Sequence, residues 1–458
     1  MFTMIQSVSR GTSDSIAAIA TPAGRGGIGV VRVSGPGVKS VMQGVLGRVI
    51  QPRQATYAAF QDNAGIAIDE GVALYFSAPH SYSGEDVLEL QGHGGPAVMA
   101  RLLRRCTELG CRLARPGEFT ERAFLNDKLD LAQAESVADL IEAGSEEAAR
   151  SAARTLTGEF SARVYQLTEK LTELRMHVEA CIDFPEEEID PADRATQQSA
   201  LKTIRTLLAN LTREAQQGVV LRDGLTVVLI GRPNVGKSSL LNCLAGDEVA
   251  IVTPIPGTTR DHVRVTIHLE GVPIHLIDTA GLRDTDDAVE KIGITRTWAA
   301  IEKAGAALLI AEAGEMAGRN EAEILRRLPT RLPTAWVYNK IDLYRPTGVS
   351  RETSRVENDF SLFVSALTGE GIDTLRAWLL ETAGWRPSGE GVFLARARHL
   401  AALAATESHL EAASTRNDQY ELFAEELRLA QMSLSSITGK FTSDDLLGEI
   451  FSRFCIGK

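Results

Sequence analysis

Gly231-Arg232-Pro233-Asn234-Val235-Gly236-Lys237-Ser238 fits the pattern GxxxxGK[ST] of a phosphate-binding loop. The apolar run Thr226–Ile230 precedes this loop and the helical run Ser239–Leu244 follows it, which is the strand–loop–helix context that the pattern requires. Backbone N–H groups at the start of a helix attract anionic phosphate. We therefore predict a nucleoside triphosphate site in which Lys237 reaches the β- and γ-phosphates and Ser238 ligates Mg²⁺.

Three later motifs predict that the nucleotide is GTP. Asp278-Thr279-Ala280-Gly281 follows an apolar strand, so its carboxylate can hold the metal through water and its glycine N–H can sense the γ-phosphate. Asn339-Lys340-Ile341-Asp342 follows another strand, and its carboxylate can accept two N–H bonds from guanine, a pattern that adenine lacks. Ser365-Ala366-Leu367 can contact the base from a later loop. The set and its order are similar to those of translation-factor-class GTPases.

Two features of the motifs are unusual for a GTPase. Leu282 stands where Ras-like proteins place a glutamine that orients water, and Glu290 is the best polar replacement, although a solvated acid at a helix start explains Glu290 as well. Asn234, together with backbone carbonyls near Gly257-Thr258-Thr259-Arg260-Asp261, could hold a monovalent cation against the phosphates. Thr259 could complete the coordination of Mg²⁺. A turn-forming role is the alternative for Asn234.

Composition and charge restrict the class of protein. The chain has 458 residues, 44% of them hydrophobic and 24% charged, which is typical of a globular protein of roughly three domains. Its 48 basic and 60 acidic side chains give a net charge of −12, so any nucleic-acid surface must be a local basic patch. The five scattered cysteines form no CxxC pair, which argues against a disulfide framework or a zinc site. With neither a secretory signal nor an apolar span, we expect a cytoplasmic protein without a membrane anchor.

The order of sequence patterns predicts a helical domain that is interrupted by an inserted α/β domain. Short apolar runs alternate with glycine and proline between residues 14 and 125, which is typical of an α+β domain, with a helix at 97–109. Strand-like and helical runs alternate over residues 225–382, which predicts a mainly parallel sheet. Apolar residues at helical spacing mark the stretches 129–182, 195–220, 392–415, 420–437 and 443–454.

The whole chain resembles the MnmE (TrmE) family of bacterial tRNA-modification GTPases. The match runs from Ala20-Thr21-Pro22-Ala23-Gly24-Arg25-Gly26-Gly27 to the final Phe-Cys-Ile-Gly-Lys and includes segments 84–96, 115–131, 257–261 and 278–283. The resemblance implies a multidomain fold of three parts. These are an α+β tetrahydrofolate-binding and dimerisation domain (1–127), an all-α domain in two stretches (128–222 and 384–458) and an inserted Ras-like α/β P-loop GTPase domain (223–383).

The resemblance also implies an activity, cofactors and partners. Members form a homodimer and a heterotetramer with a flavoprotein, MnmG (GidA), which carries the FAD. Together they install an aminomethyl or carboxymethylaminomethyl group at C5 of the wobble uridine of certain tRNAs. The one-carbon unit comes from 5-formyltetrahydrofolate or a related tetrahydrofolate. GTP is hydrolysed with Mg²⁺, and K⁺ supports dimerisation of the GTPase domains.

Positions that match the family's motifs carry the implied site residues. The implied catalytic residues are Glu290, which would position water, with Lys237, Arg260 and Asp261. The implied folate contacts are Arg32, Glu89, Lys128 and Lys458. The implied K⁺ ligands are Asn234, Thr253, Ile255 and Thr258, and the implied Mg²⁺ ligands are Ser238 and Thr259. The implied GTP contacts are Asn234, Val235, Gly236, Lys237, Ser238, Ser239, Thr253, Pro254, Ile255, Pro256, Gly257, Thr258, Thr259, Asp278, Thr279, Ala280, Gly281, Asn339, Lys340, Asp342, Ser365, Ala366 and Leu367. Cys455 matches the family's C-terminal cysteine, a candidate functional thiol for which an incidental thiol is the alternative.

Three other functions share part of this pattern. A GTP-dependent RNA-assembly factor would need a basic RNA-binding module, and the acidic balance disfavours it. An aminomethyltransferase with a fused regulatory GTPase would not depend on a flavoprotein and tRNA. A structural GTPase, whose function is dimerisation alone, would not need the folate residues.

Overall fold

A computed structural model of the chain describes residues 14–183, 191–232, 234–245, 264–278, 304–314, 329, 331–344, 354–356, 359–386, 392–416, 419–440, 444–452, 454–455 and 457. Contacts divide the chain into two units. The first unit comprises Met1–Ala138, Thr155–Leu201 and Ala405–Lys458, and the second comprises Asp139–Arg154 and Lys202–Ala404. No helix in the described part of the chain has the length and apolar character needed to cross a membrane.

The first unit contains a six-stranded sheet whose strands follow the order β3-β4-β5-β2-β1-β6. The strands are β1 (Ile16–Ile19), β2 (Gly26–Ser34), β3 (Thr56–Gln61), β4 (Ala67–Phe76), β5 (Val87–Gly94) and β6 (Arg112–Leu113). All neighbouring pairs are antiparallel except β1 and β6. The helices α1 (Val38–Leu46) and α2 (Pro96–Glu108) bury their apolar residues against one face of this sheet. These two helices therefore cover one face of the sheet.

Helices make up most of the described residues outside the two sheets. They are α3 (Glu118–Leu125), α4 (Leu131–Glu142), α5 (Glu146–Leu156), α6 (Glu159–Asp183) and α7 (Pro191–Asp223), and, later in the chain, α10 (Ala397–Thr415), α11 (Tyr420–Ser435) and α12 (Asp444–Ser452). In the first unit, the Gln431 amide of α11 donates to Thr172 at 2.9 Å, and Arg175 of α6 donates to Gln431 at 2.6 Å. These polar contacts fix the pairing of two long helices.

The second unit is built on a seven-stranded sheet with the order β12-β13-β11-β10-β7-β9-β8. The strands are β7 (Leu225–Gly231), β8 (Arg264–Leu269), β9 (Val272–Asp278), β10 (Ala306–Glu312), β11 (Thr334–Asn339), β12 (Ser354–Val356) and β13 (Asp359–Phe363), and two described helices, α8 (Lys237–Ala245) and α9 (Ile372–Ala383), follow β7 and β13. The five central strands are parallel, and the two edge strands are antiparallel. Central strands are apolar on both faces, as parallel strands between helices require.

The predicted multidomain architecture is confirmed, and the differences concern single helices. The mainly parallel sheet predicted over residues 225–382 is present, and the helix predicted at 97–109 is α2. The helical pattern predicted over 129–182 is confirmed as three helices, with breaks after α4 and after α5 that the pattern does not mark. The second break falls at Gly158, whose φ of +93° is left-handed and does not continue a helix. Residues 392–396, predicted as helical, lie before the start of α10.

Candidate functional site

The phosphate loop connects the end of β7 to the start of α8. Its backbone turns at Asn234 and Gly236, which have left-handed φ values of +66° and +95°. A Cβ atom at Gly236 would lie 2.3 Å from Asn339 Nδ2, and one at Gly231 would lie 2.5 Å from the carbonyl oxygen of Ile310. Glycine is therefore required at both ends of the loop, where the backbone passes close to its neighbours.

Lys237 is held over this loop. Its side chain is 8% exposed, and Nζ donates to the Gly231 carbonyl at 2.6 Å and lies 3.6 Å from Asp278 Oδ1. Asp278 is in place because it ends β9, which pairs in parallel with β7. The first turn of α8 presents Ser238 and Ser239 to solvent beside the lysine. An ammonium group and a helix N-terminus at one point favour phosphate, and the exposed Ser238 hydroxyl is free to approach a metal.

Asn339 connects the phosphate loop to the predicted base-contacting loop. The side chain is 2% exposed, its Nδ2 donates to the Val235 carbonyl at 3.0 Å, and its Oδ1 accepts from the Ala366 N–H at 3.0 Å. The Ser365 hydroxyl donates to Asp342 Oδ1 at 2.6 Å and so orients that carboxylate. Leu367 is 84% exposed at the tip of the same loop. The structure thus brings three of the predicted motifs to one edge of the sheet, where parallel strands end.

A contact with Glu312 was not predicted from the sequence. Lys340 has a left-handed φ of +67°, its Nζ donates to the Asn234 carbonyl at 2.8 Å, and it forms an ion pair with Glu312. Glu312 ends β10, at the same sheet edge as the motifs. The position of an acid at the end of a central strand was the one sequence signal for it.

Several predicted site residues lie outside the described residues and stay predictions. They are the catalytic candidates Glu290, Arg260 and Asp261, the loop residues Thr253, Pro254, Ile255, Pro256, Gly257, Thr258 and Thr259, the motif residues Thr279, Ala280 and Gly281, and Lys458.

A second cluster forms around Arg32 on the first sheet. Arg32 of β2 is directly opposite Glu89 of β5, and its Nε and Nη2 lie 3.0 and 2.9 Å from Glu89 Oε1. Arg32 Nη1 also donates to the Gly457 carbonyl at 3.4 Å. The guanidinium lies 5.5 Å from the ring centre of Tyr82 and 5.7 Å from that of Phe119. Both charged side chains keep about a fifth of their surface exposed (21% and 18%), so a ligand can reach them.

The end of the chain is packed against this domain. The Gly117 N–H donates to the Cys455 carbonyl at 3.3 Å, and Gly457, with φ of +98°, passes so close to β1 that a Cβ would lie 2.5 Å from a backbone oxygen. Cys455 itself is exposed. Lys128 is exposed too, and its Cγ lies 3.3 Å from where a Cβ on Gly84 would stand. Of the four predicted folate contacts, Arg32 and Glu89 touch, and Lys128 stands by the neighbouring turn.

A buried ionic network beside this cluster was also not predicted. Arg122 is 2% exposed and donates to Glu85 at 3.0 Å, to Glu118 at 3.2 Å and to Asp14 at 2.9 Å. Burial raises the pKa of Glu118, but hydrogen bonds from Arg112, from a backbone N–H and from Arg122 outweigh it and lower the pKa to about 2. The network joins the turn that carries Glu85 to α3. The network therefore helps to fix Phe119 of α3, whose ring flanks Arg32.

Comparisons with known proteins match nearly the whole chain. The family model for the MnmE helical domain matches residues 131–455, and the model for the GTP-binding protein TrmE N-terminus matches residues 15–128. The chain is 59% identical to the tRNA modification GTPase MnmE of Thiobacillus denitrificans over 97% of this chain and 98% of that protein. It is 58% identical to the tRNA modification GTPase MnmE of Nitrosomonas europaea over 98% of this chain and 100% of that protein. Among solved structures, the G domain of the T. maritima FeoB iron transporter is 28% identical over 35% of this chain and 98% of that chain, with a TM-score of 0.27.

Proposed function

The chain belongs to the MnmE family of tRNA modification GTPases, and from this membership we propose the reaction, cofactors and partners that follow. It is a GTP hydrolase that acts in tRNA modification and binds GTP with Mg²⁺. We propose that a homodimer of this chain joins the flavoprotein MnmG, which carries the FAD. The complex installs an aminomethyl or carboxymethylaminomethyl group at C5 of the wobble uridine of certain tRNAs. We also propose the division into domains 1–127, 128–222 with 384–458, and 223–383.

The folate part of the proposal is carried by one observation. Arg32 contacts Glu89 and the Gly457 carbonyl, so segments of the chain 57 and 425 residues away from Arg32 meet at one guanidinium. A partly exposed Arg–Glu pair offers both N–H donors and a carboxylate acceptor, which suits the polar edge of a pterin ring. Lys128 and Lys458 supply positive charge for the carboxylates of a folate tail. When bound, 5-formyltetrahydrofolate or a related tetrahydrofolate supplies the one-carbon unit.

The nucleotide part of the proposal rests on the geometry around Lys237. Asn234 is exposed within the phosphate loop, and its side chain makes no hydrogen bond among the described residues, so its amide oxygen is available to K⁺. We propose that Asn234 holds K⁺ together with backbone groups of Thr253, Ile255 and Thr258. Ser238 and Thr259 hold Mg²⁺, which neutralises phosphate charge. Glu290 positions water, and Arg260 and Asp261, which follow Thr259 in the chain, support hydrolysis.

The nucleotide proposal is tested by cation exchange. GTP hydrolysis by the purified full chain is measured in KCl and in NaCl at equal ionic strength. We expect strong selective stimulation by K⁺, loss of that selectivity in Asn234→Ala, and loss of turnover with GTP affinity nearly intact in Glu290→Ala. Equal rates in the two salts would remove the K⁺ role, and full activity of Glu290→Ala would remove the water-positioning role.

The folate proposal is tested by calorimetric titration with 5-formyltetrahydrofolate. Arg32→Gln should weaken binding by at least about tenfold, because a hydrogen bond to a charged group contributes about 1.5–3 kcal/mol. Arg101→Gln is the matched control, since Arg101 is 54% exposed on α2 and its nearest carboxylate is 3.7 Å away. Equal affinities of the two variants would contradict the site.

A further inference from the structure

Asp139 is a buried carboxylate that is not among the site residues predicted from the sequence. It lies in the last turn of α4 and its side chain is 5% exposed. Arg222 Nε donates to its Oδ1 at 2.8 Å, and Arg396 donates to the same oxygen at 2.7 Å and to Oδ2 at 3.3 Å. Two arginines from parts of the chain 174 residues apart (396 − 222) therefore meet at one carboxylate.

These arginines mark the two connections of the nucleotide-binding sheet. Arg222 is in the last turn of α7, just before β7, and Arg396 immediately precedes α10, after the chain has left the sheet. Both connections are tightly packed. A Cβ at Gly224 would lie 1.8 Å from the Pro273 carbonyl, and one at Gly218 would lie 2.1 Å from a carbonyl of the outgoing segment. The incoming and outgoing chains are thus held together at Asp139.

A second contact joins the same region to the β8–β9 turn. The Ser145 hydroxyl, just before α5, donates to the Gly271 carbonyl at 2.9 Å and also accepts from the Ala148 N–H at 3.2 Å. Gly271 has φ of +83°, and a Cβ there would lie 2.7 Å from Glu147. From the other side, the Trp385 indole N–H donates to Glu270 at 3.1 Å. The turn is therefore tied to α5 and to the outgoing segment by directional contacts.

The contacts of Asp139 and of the β8–β9 turn lie at the edge of the sheet opposite the nucleotide site. β7 has seven residues, so its amino end, next to the Arg222–Asp139 contact, is about 20 Å from the phosphate loop at its carboxyl end. β9 begins at the tied turn and ends at Asp278, which lies 3.6 Å from Lys237. A cavity of about 310 Å³ lies among these contacts and is lined by Asp139, Ser145, His268, Gly271 and His275 among others.

We propose that Asp139 is a positioning residue that couples the nucleotide site to tRNA modification. The inference rests on the proposed function. By holding both connections of the sheet to the last turn of α4, Asp139 makes movements of β7 and β9 move that helix. Without the carboxylate, the sheet still binds and hydrolyses GTP, but the two connections are no longer held to α4. Movements of β7 and β9 then do not move that helix. The residue acts through α4 and touches no ligand.

The test compares Asp139→Asn with Glu426→Gln in the full chain. Glu426 is a matched control because it is a buried carboxylate, 9% exposed, that also contacts two basic side chains, His409 and Arg416. For each protein we measure GTP hydrolysis, tRNA modified per GTP hydrolysed with MnmG, and amide hydrogen exchange with and without a GTP analogue. Arg396→Gln is the second variant if Asp139→Asn fails to fold, since it leaves the contact with Arg222.

Asp139→Asn should keep GTP hydrolysis within about twofold but lower the tRNA modified per GTP roughly 5- to 150-fold, the usual range of coupling between sites. Its nucleotide-dependent exchange should persist in the phosphate loop and disappear in α4, whereas Glu426→Gln should keep both. An unchanged ratio of modification to hydrolysis, or an unchanged response of α4, would overturn the proposal. If the wild-type protein modifies no tRNA, the proposed function fails, and the exchange of α4 still decides the role of Asp139.

Discussion

Replacing Asn339 by alanine tests whether this side chain holds the two loops of the nucleotide site together. The side chain joins the phosphate loop to the loop of Ala366 by two hydrogen bonds of 3.0 Å. Without it, the buried Val235 carbonyl has lost its donor at a cost of about 1–3 kcal/mol, and the half-buried Ala366 N–H loses a bond with a net value of about 0.5–1.5 kcal/mol. The unit should therefore be destabilised by about 1.5–4.5 kcal/mol, which a domain with about 5–15 kcal/mol of stability survives.

Urea unfolding without nucleotide measures the stability, and titration with a fluorescent GTP analogue measures the affinity. We expect both to fall in Asn339→Ala, the affinity by at least about tenfold, because about 1.4 kcal/mol of lost loop ordering already gives that factor. Asp342→Asn is the control. Its amide oxygen still accepts from the Ser365 hydroxyl, so it should lose guanine selectivity while keeping its unfolding midpoint. An Asn339→Ala protein with wild-type stability would refute the bridging role.

Three further outcomes follow from single contacts. Gly236→Ala should weaken GTP binding at least about tenfold, because its Cβ would lie 2.3 Å from a neighbouring amide nitrogen. Gly369→Ala is the control and should bind GTP normally in the same titration, since the space around this residue, with φ of +80°, is open. Equal affinities of the two variants would contradict the close approach at Gly236. The folded-state pKa of Glu118, about 2, lies below the ordinary value of 4.5, so its charge stabilises the fold above pH 4.5 and this contribution is lost as pH falls towards 2. The difference in thermal midpoint between wild type and Glu118→Gln should shrink over that interval, and a constant difference would contradict this role. Glu312→Gln removes a partly exposed ion pair with Lys340 and should lower GTP affinity by no more than about fivefold in the same titration, so a larger loss would assign Glu312 a direct role.

The nucleotide site could be predicted because its chemistry is local in sequence. The phosphate loop occupies eight consecutive residues between a strand and a helix, and each later motif directly follows a strand. In a parallel sheet these strand ends meet at one edge, so order along the chain is enough to bring Asp278, Asn339 and Lys237 together. The ion pair of Lys340 with Glu312 could not be predicted in this way, because the sequence does not say which of its 60 acidic residues a given lysine contacts.

The breaks between α4, α5 and α6 could not be predicted from the sequence, for a different reason. Residues 129–182 keep helical spacing and helix-forming composition throughout, so the pattern alone predicts no break. The structure ends α4 before Gly144, where a Cβ would lie 2.7 Å from His268 Nε2, and Ser145 then caps α5 through the Ala148 N–H. A tertiary contact with a strand more than a hundred residues later therefore decides a local boundary.

The Arg32 cluster shows how far strand alternation reaches. Val31 and Val33 flank Arg32, Leu88 and Leu90 flank Glu89, and all four apolar side chains are fully buried in the core with α1 and α2. Alternation of side chains along each strand therefore places Arg32 and Glu89 on the opposite face of the sheet, and this placement can be predicted from the sequence. Their meeting depends on register. A shift of β5 by one residue would turn Glu89 into the core, and a shift by two would place it one pair away from the guanidinium. The apolar residues on either side of each charge thus fix the geometry of the pair, and the Gly457 carbonyl can join it only because that register already holds Arg32 in place.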